Sequence, residues 1–229
     1  MISSGNGSPI GLLLSGGIDS TMLLNHLMTT GCRVVPIYVR SNLPSQAAEM
    51  LSVVRSLRSL SNPALDGLVT LDLPMDEANP RANLRNRMGR SAAGPMPQFS
   101  RDVRQMLLFL TAAQWCAKIG VVQLASGETK HPRELAGQRV FYRDVDLLLG
   151  GAAGVDVTII RPFAQLQRRH VVSMGRRFHL TTNFSCSSPL GISHCGVCPK
   201  CERRREGFDQ AGVFDTTTYV RKKVVAKAA

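Results

Sequence analysis

Two groups of residues in this chain have the types and spacing to do chemistry. The first is Ser15-Gly16-Gly17-Ile18-Asp19-Ser20, set directly after the apolar run Ile10, Leu12, Leu13 and Leu14. A buried strand that ends in a glycine turn and feeds a helix starting near Ser20 makes an anion site. Its backbone N–H groups and the positive end of the helix dipole both face the ligand. Gly16 and Gly17 carry no Cβ, so the backbone can approach that anion closely. Ser15 and Ser20 add hydroxyl donors. Asp19 is out of place beside a phosphate unless it holds a Mg²⁺ that the phosphate shares. The bland alternative is a glycine turn that only joins strand to helix. A Walker-type loop is excluded, because no Gly-x-x-x-x-Gly-Lys-Ser/Thr occurs in the chain.

The second group is Cys186, Cys195, Cys198 and Cys201, with the last three spaced as two successive Cys-x-x-Cys steps. Four thiolates so spaced suit a closed tetrahedral Zn²⁺ site, with an iron–sulfur cluster as the rival. Gly191 and Gly196 supply turns that let the chain wrap the metal. His194 could replace one thiolate, but four cysteines already complete the shell. Cys32 and Cys116 read as core residues of a strand and a helix. His26, His131, His170 and His179 lack ligand spacing and read as surface or packing residues.

The elements that must position these groups alternate in type. Met22, Leu23, Leu24, Leu27 and Met28 mark a helix stopped at Gly31, and Val34 to Val39 a second strand. Ala47, Met50, Leu51, Val54, Leu57 and Leu60 mark a helix over 45–60, and Leu68 to Leu73 a third strand. Asn79 to Ser100 reads as a long loop. A helix over 102–119 is expected to bury Val103, Met106, Leu107, Leu110 and Ala117. Val121–Ala125 and Val157–Ile160 supply two more strands. Strands interleaved with helices predict an α/β fold with a Rossmann-like parallel sheet covered on both faces, whose ligands bind beyond the carboxyl ends of the strands.

Composition narrows the class. The chain has 229 residues, 44% of them hydrophobic, enough for a sizeable core in one domain over 1–229 with a zinc-binding lobe at 180–229. No apolar run is long enough to cross a membrane, and the polar start lacks a signal pattern. The expected location is the cytoplasm, where clustered cysteines favour metal over disulfides. Lys and Arg number 28 against 16 acids, a formal net charge of +12. No acid falls between Asp156 and Glu202, whereas Arg161, Arg168, Arg169, Arg176 and Arg177 do. Such a field attracts nucleotides, pyrophosphate or nucleic acid, unless it is only a solvated surface. Aromatic content of 5% argues against a stacking platform for single strands.

Ser-Gly-Gly-x-Asp-Ser resembles the PP-loop of ATP pyrophosphatases, adenine nucleotide alpha hydrolase-like proteins that cleave ATP to AMP and pyrophosphate. Together with His194-Cys195-Gly196-Val197-Cys198-Pro199-Lys200-Cys201, Arg203, Arg204, Gly207-Phe208 and the phrase Ala211 to Tyr219, it is similar to the 7-cyano-7-deazaguanine synthase (QueC) family of queuosine biosynthesis. Leu107 to Ala117 matches in pattern as well. The resemblance implies ATP, Mg²⁺ and a structural Zn²⁺, with Ser15 to Ser20 binding ATP and pyrophosphate and Asp19 and Arg168 acting in catalysis. It implies a ligase that adenylates a carboxylate, carboxy-deazaguanine in the family, for attack by ammonia or an amine through an acyl-adenylate and an amide to a nitrile. A homodimer is usual for such proteins.

The middle of the chain departs from the family. An Arg-Asn pair before the central helix is replaced, in register, by Gln105-Met106, with Arg104 one place off. Gly127 is followed by Glu128-Thr129-Lys130-His131-Pro132, without the family's Asp or its Tyr-Pro-Asp-Cys. Arg168-Arg169-His170 stands for Lys-Ala-Glu, and arginine for lysine keeps the charge but changes the geometry. Glu128 and Arg133 are the nearest replacements for substrate contacts. The expected protein is a QueC-like paralogue with altered substrate choice, acting on a deazapurine-like acid or another carboxylate. The alternatives are a tRNA-modifying enzyme with a nucleic-acid substrate, a defence paralogue that attaches a deazaguanine to a protein substrate, and a non-enzymatic zinc protein.

Overall fold

The computed structural model describes residues 8–60, 62–73, 98–130, 135–152, 154–178 and 180–221. Strand β1 (Ile10–Leu13) turns through Gly16 and Gly17 into helix α1 (Ile18–Thr29), which begins two residues earlier than expected and so carries Asp19 in its first turn. Gly31, at φ +77, ends α1, and Cys32 lies in the turn before β2 (Val34–Arg40) rather than in a strand. Next come α2 (Gln46–Arg58), β3 (Val69–Asp72), α3 (Gln98–Lys118), β4 (Gln123–Ala125), α4 (Leu135–Leu147) and β5 (Thr158–Ile160). Two short helices close the order, α5 (Arg168–Met174) and α6 (Pro199–Gln210).

All five strands are parallel, in the order β3-β2-β1-β4-β5. The chain winds outward from β1 in one direction and then from β4 in the other. The carboxyl ends of β1 and β4 therefore flank the switch point, where a crevice opens in folds of this kind.

Alternation along the strands divides the core into two layers. Ile10, Leu12, Leu14, Val34 and Tyr38 pack on α1, α2, α5 and α6, while Val35, Ile37, Val39, Leu124 and Ile159 pack on α3 and α4. Gly11 faces α3, where a Cβ would stand 2.7 Å from Cys116 Sγ. The buried stripe of α3 is Phe109, Ala112, Ala113 and Cys116. Val103 and Ala117, expected on that stripe, are exposed. The buried line sets the large Phe109 beside small alanines, and the expected Met106 and Leu110 pack against the same layer as partly buried residues. In α2 the fully buried residues are Ala48, Ser52, Val53 and Ser56, with the expected Met50 and Leu57 partly buried against the same core. Of the loop expected at Asn79 to Ser100, residues 79–97 lie outside the described residues, and 98–100 form the first turn of α3.

Candidate active site and metal centre

The glycine turn is held from behind. Gly16 adopts φ +74, and a Cβ there would stand 2.7 Å from the Glu49 carbonyl, so glycine is required on both counts. Its carbonyl accepts from Ser52 Oγ at 2.7 Å and from the Phe184 amide at 2.8 Å. Gly17 caps α1 without a side-chain bond. The first-turn amides of a helix have no partner within it and are left for a ligand. Ser15 Oγ and Ser20 Oγ lie 3.2 Å apart at the mouth of the turn.

Asp19 points at Arg168, the first residue of α5, with Nη2 to Oδ2 at 2.5 Å. Gly207 of α6 makes room for the arginine stem, since a Cβ there would come within 3.1 Å of it. Burial pushes the Asp19 carboxyl above its ordinary value, against the opposing pull of Arg168 and Arg203. Its second oxygen, Oδ1, is buried with no hydrogen-bond partner among the described residues. An orphaned carboxylate oxygen is costly to bury and is a ready ligand for a hard cation.

Across the switch point, Gly127 follows β4 and packs on the start of α1, where a Cβ would stand 2.7 Å from the Asp19 carbonyl. Glu128 is thereby set beside the crevice. It accepts from Gln105 Nε2 of α3, which also donates to Tyr142 Oη of α4 at 2.9 Å. The Arg161 guanidinium, just past β5, lies 3.5 Å from the Tyr142 ring centroid. Burial draws Arg161 below its ordinary value, with Glu128 and Asp146 opposing. An open cavity of 430 Å³ lies between α4 and Arg161. On the β2 side, Arg104 donates to Ser41 Oγ at 3.0 Å, and its buried Nε has no hydrogen-bond partner among the described residues.

Of the residues singled out in the sequence, Ser15 to Ser20 and Arg168 come together at one end of the sheet, with Glu128 across the crevice from them. Arg133, His131 and His179 lie outside the described residues. Gln105 and Arg161 were not expected to act together with Glu128. The signal was available for Gln105, because it replaces a paired residue at the start of the central helix. For Arg161 it was lost among the other arginines of the acid-free stretch.

The four cysteines are brought together as expected, all buried, with sulfurs within 4.8 Å of one another. Cys186 and Cys198 are 3.8 Å apart and Cys195 and Cys201 4.0 Å. Four sulfurs around one Zn²⁺ at its usual bond length stand about 3.8 Å apart, so the set fits a single tetrahedral ion. The amides of Cys195, Val197 and Cys201 donate to Cys186, Cys195 and Cys198 sulfurs respectively, stabilising thiolates. His194 is not among the donors. Its Nε2 accepts from the Ser185 amide at 3.0 Å, and its ring packs on Phe184 and Tyr219. Burial lowers its pKa to about 4, which keeps Nε2 free to accept. Arg204, wholly buried, donates to Thr217 Oγ1 and the Leu180 carbonyl and so fastens the tail over α6.

Among the described residues no helix is long and apolar enough to cross a membrane. The family model of the queuosine biosynthesis protein QueC matches residues 10–212, which include both the glycine turn and the cysteines. The 7-cyano-7-deazaguanine synthase 1 of Desulfitobacterium hafniense is 25% identical over 202 residues, covering 86% of this chain and 90% of its own length. The 7-cyano-7-deazaguanine synthase of Novosphingobium aromaticivorans is 25% identical over 227 residues, covering 91% and 93%. Among solved structures, a 4-thiouridine synthetase in an RNA complex with bound ATP aligns with a TM-score of 0.52 at 16% identity. That alignment covers 91% of this chain and 51% of the synthetase, and it shows a shared fold.

Proposed function

The chain belongs to the QueC family, and from that premise we propose that it is an ATP-dependent carbon–nitrogen ligase that adenylates a carboxylate for attack by ammonia or an amine. The observation that carries this reading is the buried, partnerless Asp19 Oδ1 beside the glycine turn. That oxygen is suited to a cation arriving with a polyphosphate. Mg²⁺ held by Asp19 would offset charge developing on the departing pyrophosphate.

The chain's own residues do the rest. The amides of Gly17 and of the first turn of α1, with the Ser15 and Ser20 hydroxyls, take the pyrophosphate oxygens. Arg168 leaves Asp19 for those oxygens as they arrive, since its guanidinium is already poised over the loop at 30% exposure. A free carboxylate resists amine attack because it is anionic and its oxygen leaves poorly. Its oxygen attacks the α-phosphorus, the bond to pyrophosphate breaks, and the amine then displaces AMP. Glu128, held by Gln105, is the acceptor for N–H donors of a purine-like acid such as carboxy-deazaguanine. We read residues 1–229 as one domain, and the cysteines as a structural zinc site. A cluster of several iron and sulfide ions would hold its four thiolates further apart than the spacing around one ion.

A sulfur-inserting, tRNA-modifying activity is less well supported. It requires a reactive thiol near the loop, whereas Cys32 and Cys116 are buried and burial pushes Cys116 up to about 11. The test is release of AMP and pyrophosphate from Mg-ATP, with and without carboxy-deazaguanine and ammonia, with products read by mass spectrometry. Substrate-dependent AMP with an amide or nitrile product is expected. AMP formation that ignores every carboxylate offered would overturn the reading.

A further inference from the structure

The residues between the cysteine centre and the glycine turn form a short, continuous strap. Asn183 Nδ2 donates to Thr21 Oγ1 of α1 at 2.8 Å. The next amide, Phe184, donates to the Gly16 carbonyl at 2.8 Å. The one after it, Ser185, donates to His194 Nε2 at 3.0 Å. Cys186 follows Ser185, and Cys195 follows His194, so both ends of the His194 bond are one residue from a cysteine of the centre. The tail closes the same unit, with the Val220 and Arg221 amides donating to the His194 and Cys195 carbonyls.

We propose that His194 is a positioning residue that transmits the geometry of the cysteine centre to the glycine turn, so that metal occupancy and pyrophosphate affinity rise together. The physical requirement lies at Gly16. Its left-handed backbone carries a carbonyl that is engaged by protein donors, and each donor steadies the turn. Ser52 supplies one donor from α2, and the Phe184 amide supplies the other from the strap. A Phe184 amide that drifts leaves the Gly16 carbonyl held by Ser52 alone and loosens the turn whose amides face the anion. His194 stops the drift by holding Ser185, and a metal joining Cys186 to Cys195 holds both partners of that bond. Sites coupled in this way affect one another's affinity reciprocally.

This inference rests on the reading that the turn binds pyrophosphate, so its test has a readout that does not depend on any ligand. Amide hydrogen exchange over 14–21 and 181–187 is measured on the metal-loaded full chain, alongside calorimetric binding of Mg-pyrophosphate. His194→Phe keeps a ring against Phe184 and Tyr219 but has no acceptor; His194→Gln keeps an acceptor at similar reach but has no ring. With metal content equal to wild type, His194→Phe is expected to speed exchange in both segments and weaken pyrophosphate about tenfold, the size of one hydrogen bond. His194→Gln is expected to restore both to within about twofold. Wild-type exchange in His194→Phe, or a His194→Gln that falls as far as His194→Phe, overturns the proposal. If His194→Phe fails to hold metal, wild-type protein with and without metal decides the matter. Equal exchange at Gly16 to Thr21 in those two states overturns the proposal as well. Wild-type protein that binds no pyrophosphate refutes the function proposed for the loop, while the exchange data still judge the strap.

Discussion

Asp19 is held in a place that is unfavourable for a carboxylate. Its side chain is 18% exposed, one oxygen meets Arg168, and the other has no hydrogen-bond partner among the described residues. Burial dominates, so its folded-state pKa lies above the unfolded one. Such a group contributes its full stability below the unfolded value and loses it as pH rises through the folded value. At neutral pH burying this carboxyl is therefore a net cost. Asp19→Asn is expected to melt a few degrees higher than wild type at pH 7, at about 2–4 °C per kcal/mol for a chain of this size. The difference should shrink below about pH 4, while AMP formation is lost. Calorimetric melts across pH, paired with an AMP assay, check both; a variant that melts lower at pH 7 refutes the account. Across the crevice, Glu128→Gln keeps the shape of the side chain and removes its charge. It should raise KM for a purine-like acid about tenfold or more and leave KM for ATP unchanged, as steady-state kinetics with each substrate varied would read.

At the scale of elements, the tightest constraint falls on the turn between β1 and α1. Gly16→Ala must place a Cβ 2.7 Å from the Glu49 carbonyl while holding φ +74. Strain of about 2–3 kcal/mol is expected in denaturant titrations, with loss of pyrophosphate binding in the same variant. The turn was readable in the sequence because apolar run, paired glycines and hydroxyls each have one physical use there. Helix faces were less readable. On α2 and α3 the apolar pattern suggested stripes through Val54 and Val103, whereas the buried lines run through Val53 and Phe109 with serines and alanines beside them. Packing distance, which a list of hydrophobic positions does not contain, chose the face. Helix α4, with Phe141, Tyr142 and Val145, went unread because glycine and charge interrupt its period.

Considered as a whole, the molecule has its two chemical centres on one side of the sheet, joined through α5, α6 and the strap of 183–185. The four cysteines were legible because their spacing has few other uses. The role of His194 was not, because its partner is a backbone amide and no side-chain pattern records one. Removing the metal with a chelator should loosen residues 182–208, lower the melting temperature and leave the β1–β2–β3 half of the sheet protected from exchange. An unchanged melting temperature in metal-free protein would count against a structural role. The same loss should follow acidification, as protons compete for the thiolates.

Gly127 has a bearing on any attempt to retarget this enzyme. Its α-hydrogen sits where any side chain would collide with the Asp19 carbonyl, so the end of β4 is welded to the start of α1. From Glu128 onward the chain is released from that contact. A library aimed at new acids should therefore hold 127 fixed and diversify from 128, together with Gln105 and Arg161. Exchanges there are expected to reshape one wall of the crevice without disturbing the glycine turn and the start of α1.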